Sequence, residues 1–376
     1  MLKKLLFIFV LVAALATVAC GGGPGGGPES GDGGGEGGLA SELSVYNWAD
    51  YIDEQLLVDY EEEFGVKIIY DTYASNEDLL AKLQAGAEGY DVIFPSDYMV
   101  STMIDLEMLA EINTDDLSNF GNLDPQFTNP PFDPGNGHCV AYQWGTTGIG
   151  YRNGHPFFDE NPPDSWSYLF DPAVLEQYAG DGINVLNDSR ELPAAAALYL
   201  GLDPNTTDAD DIAKIQETIL AAKPFWKTFN SDGYDTELLI PDEVVMTHGW
   251  SGDVSLAFYE TADENDENGN WLYAIPKEGA VKWLDNICIT KTSERYSTAL
   301  HFMNYLLDAE NGAAITNYSY YASPNTASRE FIEAEILEDT SIFPPDDVFA
   351  KLAWLVDVGD DTNLYDEMWT AIKAGQ

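Results

Sequence analysis

The stretch LSVYNWADYIDEQLLVDYEEEFGVKIIYDTYASNEDLLAKLQAGAEGYDVIFP, residues 43–95, switches repeatedly between two hydrophobic periods, and that switching decides the fold class. Leu43 to Trp48 reads as a strand. Asp53 to Phe64 reads as a helix, because Leu56, Leu57 and Tyr60 fall on one face. Val66 to Tyr73 is a second strand. Ser75 caps a helix from Asn76 to about Ala85, with Asp78 three residues on completing a capping box. Tyr90 to Phe94 is a third strand, stopped by Pro95. A βαβαβ series of this kind predicts an α/β protein with a mostly parallel sheet flanked by helices.

Downstream, Leu106 to Pro134 is loop-rich, with Pro125, Pro130, Pro131 and Pro134. A long extended pattern over His138 to Arg152 follows, relaxed by Gly145, Gly148 and Gly150. A second α/β set then opens. It has a strand at Ile183–Leu186, helices at Arg190–Leu200 and Asp210–Ala222, a strand at Glu243–Thr247 and a helix at Gly252–Glu260. Val281 to Thr290 is again extended, and Ser293 to Leu307 is an amphipathic helix with Ala299, Leu300, Met303 and Leu306 on one side. Trp144–Gly148 and Trp283–Ile287 are placed to cross between two lobes. The expectation is a clamshell joined by these hinge strands, with one lobe from residues 41–146 and 285–329 and the other from 147–284 and 330–376.

Upstream, residues 1–20 read as an export signal. Lys3 and Lys4 precede an apolar run, and Ala19-Cys20 closes it in the manner of a bacterial lipoprotein cleavage site, with Cys20 the lipidated residue. Thr17 departs from that pattern, and an ordinary secretory signal or an uncleaved anchor is the alternative. Residues 21–40 are glycine-rich with three acidic side chains, the composition of a flexible tether. No later stretch is long and apolar enough to span a bilayer. The body is therefore expected in the periplasm or at the outer face of the cytoplasmic membrane, touching it only through the lipid anchor.

The remaining ~340 residues suffice for two lobes. Sixty-five acidic side chains against sixteen basic ones give a formal net charge of −49. That charge argues against nucleic acid and anionic membranes as partners, since both require basic patches. It favours cations by steering, although most of such an excess belongs to a solvated surface, as in proteins adapted to salt. Cys139 and Cys288 form no framework or metal set; they either pair or remain buried thiols. His138, His155, His248 and His301 are isolated, so neither a metal nor a cofactor is expected.

Aromatic residues and carboxylates cluster at Trp48-Ala49-Asp50-Tyr51, Trp250-Ser251-Gly252-Asp253 and Trp283-Leu284-Asp285, with Asp188-Ser189-Arg190-Glu191 adding acids. Ring faces attract organic ammonium groups, and carboxylates fix the nitrogen by charge-assisted hydrogen bonds. Trp48 ends the first strand, Tyr98 follows the third and Asp188 follows the strand at Ile183, which is where ligands sit in open α/β sheets. Each residue also has a structural reading. Asp188 and Glu191, spaced i, i+3, could form a capping box. Asp253 could complement a helix dipole. Trp283 could be a core residue, and Trp48, Tyr51 and Tyr98 lobe-packing aromatics.

Several longer motifs carry a resemblance. They include Tyr46-Asn47-Trp48, Tyr73-Ala74-Ser75-Asn76-Glu77, Asn119-Phe120-Gly121-Asn122-Leu123-Asp124-Pro125 and Pro131-Phe132-Asp133-Pro134. Further along come Asp188-Ser189-Arg190-Glu191, Pro276-Lys277-Glu278-Gly279, Trp283-Leu284-Asp285, Ser323-Pro324-Asn325 and Lys373-Ala374-Gly375. From Leu43 to the C-terminus the chain resembles the extracytoplasmic spermidine/putrescine-binding proteins of polyamine ABC transporters. The resemblance implies a type II periplasmic-binding-protein fold. It also implies a monomer that is not an enzyme, closing on a polyamine and delivering it to permease subunits. The ligand-binding positions it implies are Trp48, Tyr51, Tyr98, Asp188, Glu191, Trp250, Asp253, Trp283, Asp285 and Tyr321. Asp253 matches a carboxylate of putrescine-preferring members, and Trp283 a tryptophan of spermidine-preferring ones. Ala49 replaces a hydroxyl residue, and Thr370 stands where a glutamine would reach a ligand amine; both leave ligand length open. Two rivals remain: a ferric-ion-binding clamshell using Tyr320-Tyr321, and a secreted glycoside hydrolase using two carboxylates.

Overall fold

The computed structural model describes residues 38–86, 89–262 and 269–375. The expected signal segment and Cys20 lie outside them. The expected tether lies outside them too, except at its end. There Ala40 N–H donates to Thr298 Oγ1 at 2.8 Å and Leu39 packs on the core, so anchored structure begins before residue 40.

Ten strands form one sheet: β1 (Glu42–Trp48), β2 (Lys67–Tyr73), β3 (Val92–Ile93), β4 (Cys139–Arg152), β5 (Ile183–Val185), β6 (Thr228–Phe229), β7 (Met246–Trp250), β8 (Trp271–Ala274), β9 (Val281–Ile289) and β10 (Ala353–Trp354). The strand order is β2-β1-β3-β9-β4-β7-β5-β6, with β10 on β9 and β8 on β4. β1 runs parallel to β2 and β3, and β5 parallel to β6 and β7. Every antiparallel pairing involves β4 or β9. The parallel sets at the two ends follow from helical crossovers. The two long strands between them, β4 and β9, run against each other and against β3, β7 and β8, while β10 runs parallel to β9. Each half is mostly parallel, as expected for the two lobes.

The opening series forms as its pattern dictates. Asp53 caps the helix Glu54–Phe64, whose Leu56, Leu57 and Tyr60 are buried, and Gly65 ends it in the left-handed region at φ 70°. Ser75 Oγ accepts from Asp78 N–H at the start of the helix Asn76–Gln84. The third strand is shorter than expected, because Asp91 turns inward: its carboxylate takes Ser44 N–H, Ser293 Oγ–H and Arg295.

Two large apolar cores lie along the sheet. The first gathers β1, β3, β9 and the beginning of β4; the second gathers Ile149, β5 and the helices Glu191–Tyr199 and Ala209–Ala222. Ile332, Ile336 and Ile342 pack in the first, so side chains beyond the expected boundary at 329 belong to it. β4 crosses from one core to the other. Its first half pairs with β9 and its second with β7 and β8.

Cys139 and Cys288, opposite each other on β4 and β9, are joined by a disulfide spanning 149 residues of sequence. Replacing both by alanine is expected to lower unfolding stability by about 2–4 kcal/mol, chiefly by freeing the unfolded chain. A denaturant midpoint that does not move would show that the bond carries no stability.

Candidate functional site

β1, β3, β7 and the inner edge of β9 end at one cleft. All ten residues singled out from sequence line it. From the first half come Trp48 at the end of β1, Tyr51 in the next turn and Tyr98 in the first turn of the helix Asp97–Asp105. Trp283 and Asp285 alternate along β9 and so present the same face. From the second half come Asp188 and Glu191 around a helix start, and Trp250 and Asp253 around the start of the helix Ser251–Thr261. Tyr321 follows the helix Ala309–Ser319, one residue after Tyr320 at φ 57°.

The aromatic rings meet one another. Trp48 and Trp250 lie edge-to-face at 6.2 Å, Tyr51 and Tyr321 at 5.2 Å, and Trp283 and Tyr321 at 5.2 Å. Two glycines permit this. A Cβ on Gly145 would stand 2.6 Å from the Trp283 ring, and one on Gly252 2.6 Å from the Tyr321 ring.

Phenols and hydroxyls hold the carboxyls. Tyr51 O–H donates to Asp285 Oδ2 at 2.7 Å and Ser96 O–H to Oδ1 at 2.5 Å. Tyr321 O–H donates to Asp253 Oδ1 at 2.6 Å. Asp188 Oδ1 accepts the backbone N–H groups of Arg190 and Glu191 at 2.8 and 2.9 Å, so the capping role is real for Asp188. Glu191 does not reach back to complete a box; its Oε2 is buried without a partner. The Trp283 indole N–H is likewise buried and unpartnered.

Sequence reasoning missed Asp97, Asp232 and Asp235, and gave no binding role to Asp50 of its first aromatic–carboxylate cluster; all four line the cleft. With Asp188, Glu191, Asp253 and Asp285 they bring its carboxyls to eight, and among the described residues no Lys, Arg or His lines it. Asp97 follows the third strand as directly as Tyr98 does, so the strand-end rule that found Tyr98 could have found it. Thr370 is exposed and outside the cleft; Leu355 is the C-terminal-segment residue that lines it. Ala49, the other departure from the family pattern, does line the cleft.

Burial disfavours charge on these carboxyls, and the nearby Arg190 guanidinium offsets it only in part at Asp97, Asp188 and Glu191. Asp285 is pushed up to about 7 by burial, against the pull of Ser96 and Tyr51. Burial raises Asp97 to about 8 and, with Asp50, Asp235 to about 6. Asp188 rises by burial, Glu191 by burial and Asp188, and Asp253 by burial and Asp235. The carboxyls are thus poised to exchange protons for an incoming positive charge.

Two α/β cores under one sheet, with a polar cleft lined from both, define a solute receptor. The chain belongs to the bacterial extracellular solute-binding proteins, whose family model matches residues 55–344. It is 33% identical to the putrescine/cadaverine-binding protein of Pseudomonas aeruginosa, over 99% of both chains. It is 34% identical to the putrescine-binding periplasmic protein PotF of Escherichia coli, over 89% of this chain and 92% of that one. A Listeria monocytogenes structure assigned to a spermidine/putrescine ABC transporter matches with TM-score 0.82 at 30% identity, covering 90% of this chain and 100% of that one. No helix among the described residues is long and apolar enough to cross a membrane.

Proposed function

We propose that this chain captures linear polyamines of the putrescine–spermidine class outside the cytoplasmic membrane and delivers them to an ABC transporter permease. The observation that carries this reading is the cleft itself: eight carboxyls, three indoles, four phenols and no basic group. Aliphatic carbons pack on the rings and ammonium groups meet the carboxyls. Burying carboxylates without a partner is costly. Closure therefore becomes favourable once the ligand supplies the charge, which couples capture to closing. β4, which crosses from one core to the other, and β9 paired beside it are the hinge in this reading. In this reading the receptor acts as a monomer, tethered through residues 21–38 to a lipid on Cys20.

The ferric-ion alternative is not favoured. Iron(III) recruits tyrosinates, but burial and the nearby Asp253 hold the Tyr321 phenol well above its usual range. Tyr320 lines no part of the cleft and stacks on Tyr259 at 4.6 Å.

Titration calorimetry with putrescine and with spermidine at pH 8 is expected to show micromolar or tighter binding, with quenched tryptophan fluorescence. Silence with both ligands, or a visible tyrosinate–iron band on adding ferric ion, would overturn the reading.

A further inference from the structure

Asp97 and Glu191 share a feature that the other cleft acids lack. Asp97 is 3% exposed and Glu191 7%. Asp97 Oδ1 accepts the Tyr98 backbone N–H at 2.7 Å, while its Oδ2 is buried with no partner at hydrogen-bond geometry among the described residues, although the Leu284 backbone N–H favours its ionised form. Glu191 Oε2 is in the same condition, with the Thr147 hydroxyl favouring its ionised form. Buried carboxyl oxygens are rarely left so, because each forfeits the donors it had in water. The two residues come from different halves of the molecule, and both line the cleft.

Asp97 adjoins the Asp285 side of the cleft and Glu191 the Asp188 side. At one side Tyr321 grips Asp253 and packs against Tyr51, which grips Asp285. Ser96, the residue before Asp97, holds the other oxygen of Asp285. Glu191 stands on the same helix start as Asp188. Electrostatic influence follows the same order. Beyond burial, Asp253 responds to Asp235, Asp97 to Asp285, and Glu191 to Asp188 and then Asp97. The row thus runs from Asp235 and Asp253 through Asp285, Asp97 and Glu191 to Asp188.

From this arrangement we infer that Asp97 and Glu191 together receive the internal, secondary ammonium of a linear triamine, and that Asp97 selects triamines over diamines. The inference rests on the polyamine reading above. A secondary ammonium carries two N–H donors, one for each free oxygen. The primary ammonium groups go to either side of this pair, one to Asp253 and Asp285, which Tyr321 and Tyr51 link, and the other to Asp188. A diamine of equal length would set a methylene between the two middle carboxyls and leave both unpaired.

The test compares spermidine with 1,8-diaminooctane, which has a methylene in place of the internal nitrogen, at pH 8 by calorimetry. Wild-type protein is expected to prefer spermidine by roughly thirtyfold or more, the scale of a close charge pair. Asp97→Asn should bring the two ligands within about threefold, by weakening spermidine alone. Glu191→Gln should do the same, and serves if the first variant does not fold. A variant that keeps the preference, or weakens both ligands equally, would overturn the assignment. Wild-type protein binding both ligands equally would remove the triamine inference and leave the polyamine reading standing. Binding of neither would remove both.

Discussion

Asp285→Asn is expected to weaken polyamine binding by about 2–5 kcal/mol, roughly thirtyfold to several thousandfold in Kd, the range for removing one partner of a buried charge pair. Asp285 lines the cleft from β9 and is 4% exposed. Tyr51 and Ser96 supply one hydrogen bond to each of its oxygens. They leave the ligand to supply the charge. The amide has the same shape: its oxygen can accept one of those hydrogen bonds, and its NH2 can donate to the oxygen of the other hydroxyl once that hydroxyl turns. Because burial already pushes the acid up to about 7, a neutral side chain suits the ligand-free protein at pH 8 at least as well. Thermal stability without ligand should therefore be unchanged or higher, while affinity collapses. A Kd within about threefold of wild type would show that the ammonium site has been placed wrongly. A fall in ligand-free stability would instead point to a structural role for the acid.

Those two readouts separate what was legible in the sequence from what was not. The opening βαβαβ series was legible because each element carries a local signal: a period, a cap at Asp53 or Ser75, a stop at Gly65 or Pro95. Strand-end placement pointed to Trp48, Tyr98 and Asp188 from the sequence pattern, but the full set of ten was legible only through the resemblance, since Trp48, Asp188 and Trp283 are far apart in sequence. What stayed hidden depends on tertiary pairing. The strand expected at Glu243–Thr247 lies at Met246–Trp250, because Glu243 N–H closes a turn onto Leu238 O, and pairing with β4 begins only at Met246. β8 was missed because four residues, Trp271–Ala274, carry too little alternation to register; β4 makes them a strand. Asp97 and Asp235 were missed because a lone aspartate resembles any other in a chain with sixty-five acids. Only burial beside Asp285 or Asp253 distinguishes them, and burial is a property of the fold.

Polyamine affinity is expected to rise with pH from 6 to 8, by about tenfold per pH unit for each proton released on binding. The sign follows from the direction of the shifts. Burial places Asp235 at about 6, Asp285 at about 7 and Asp97 at about 8, against roughly 3.9 for an aspartate in the unfolded chain. A group raised in this way stabilises the ligand-free fold fully below its unfolded value, and that contribution is lost as pH rises through its folded value. The ligand-free protein should therefore gain stability from these groups between pH 8 and pH 5. Bound ammonium reverses the preference, because it stabilises the ionised acids and returns their pKa values toward the ordinary range. Alkylammonium groups, like lysine with its pKa of about 10.4, stay charged throughout, so the slope belongs to the protein. The surface acids behind the net charge of −49 also titrate as pH falls, but they act on free and bound protein alike. They cancel in the ligand-induced shift of Tm, which should shrink from pH 8 to pH 5. Calorimetry in buffers of different ionisation enthalpy should count at least one proton released near pH 7. Equal affinity at pH 6 and 8 with no proton release would mean that the cleft carboxyls do not meet the ligand's charge.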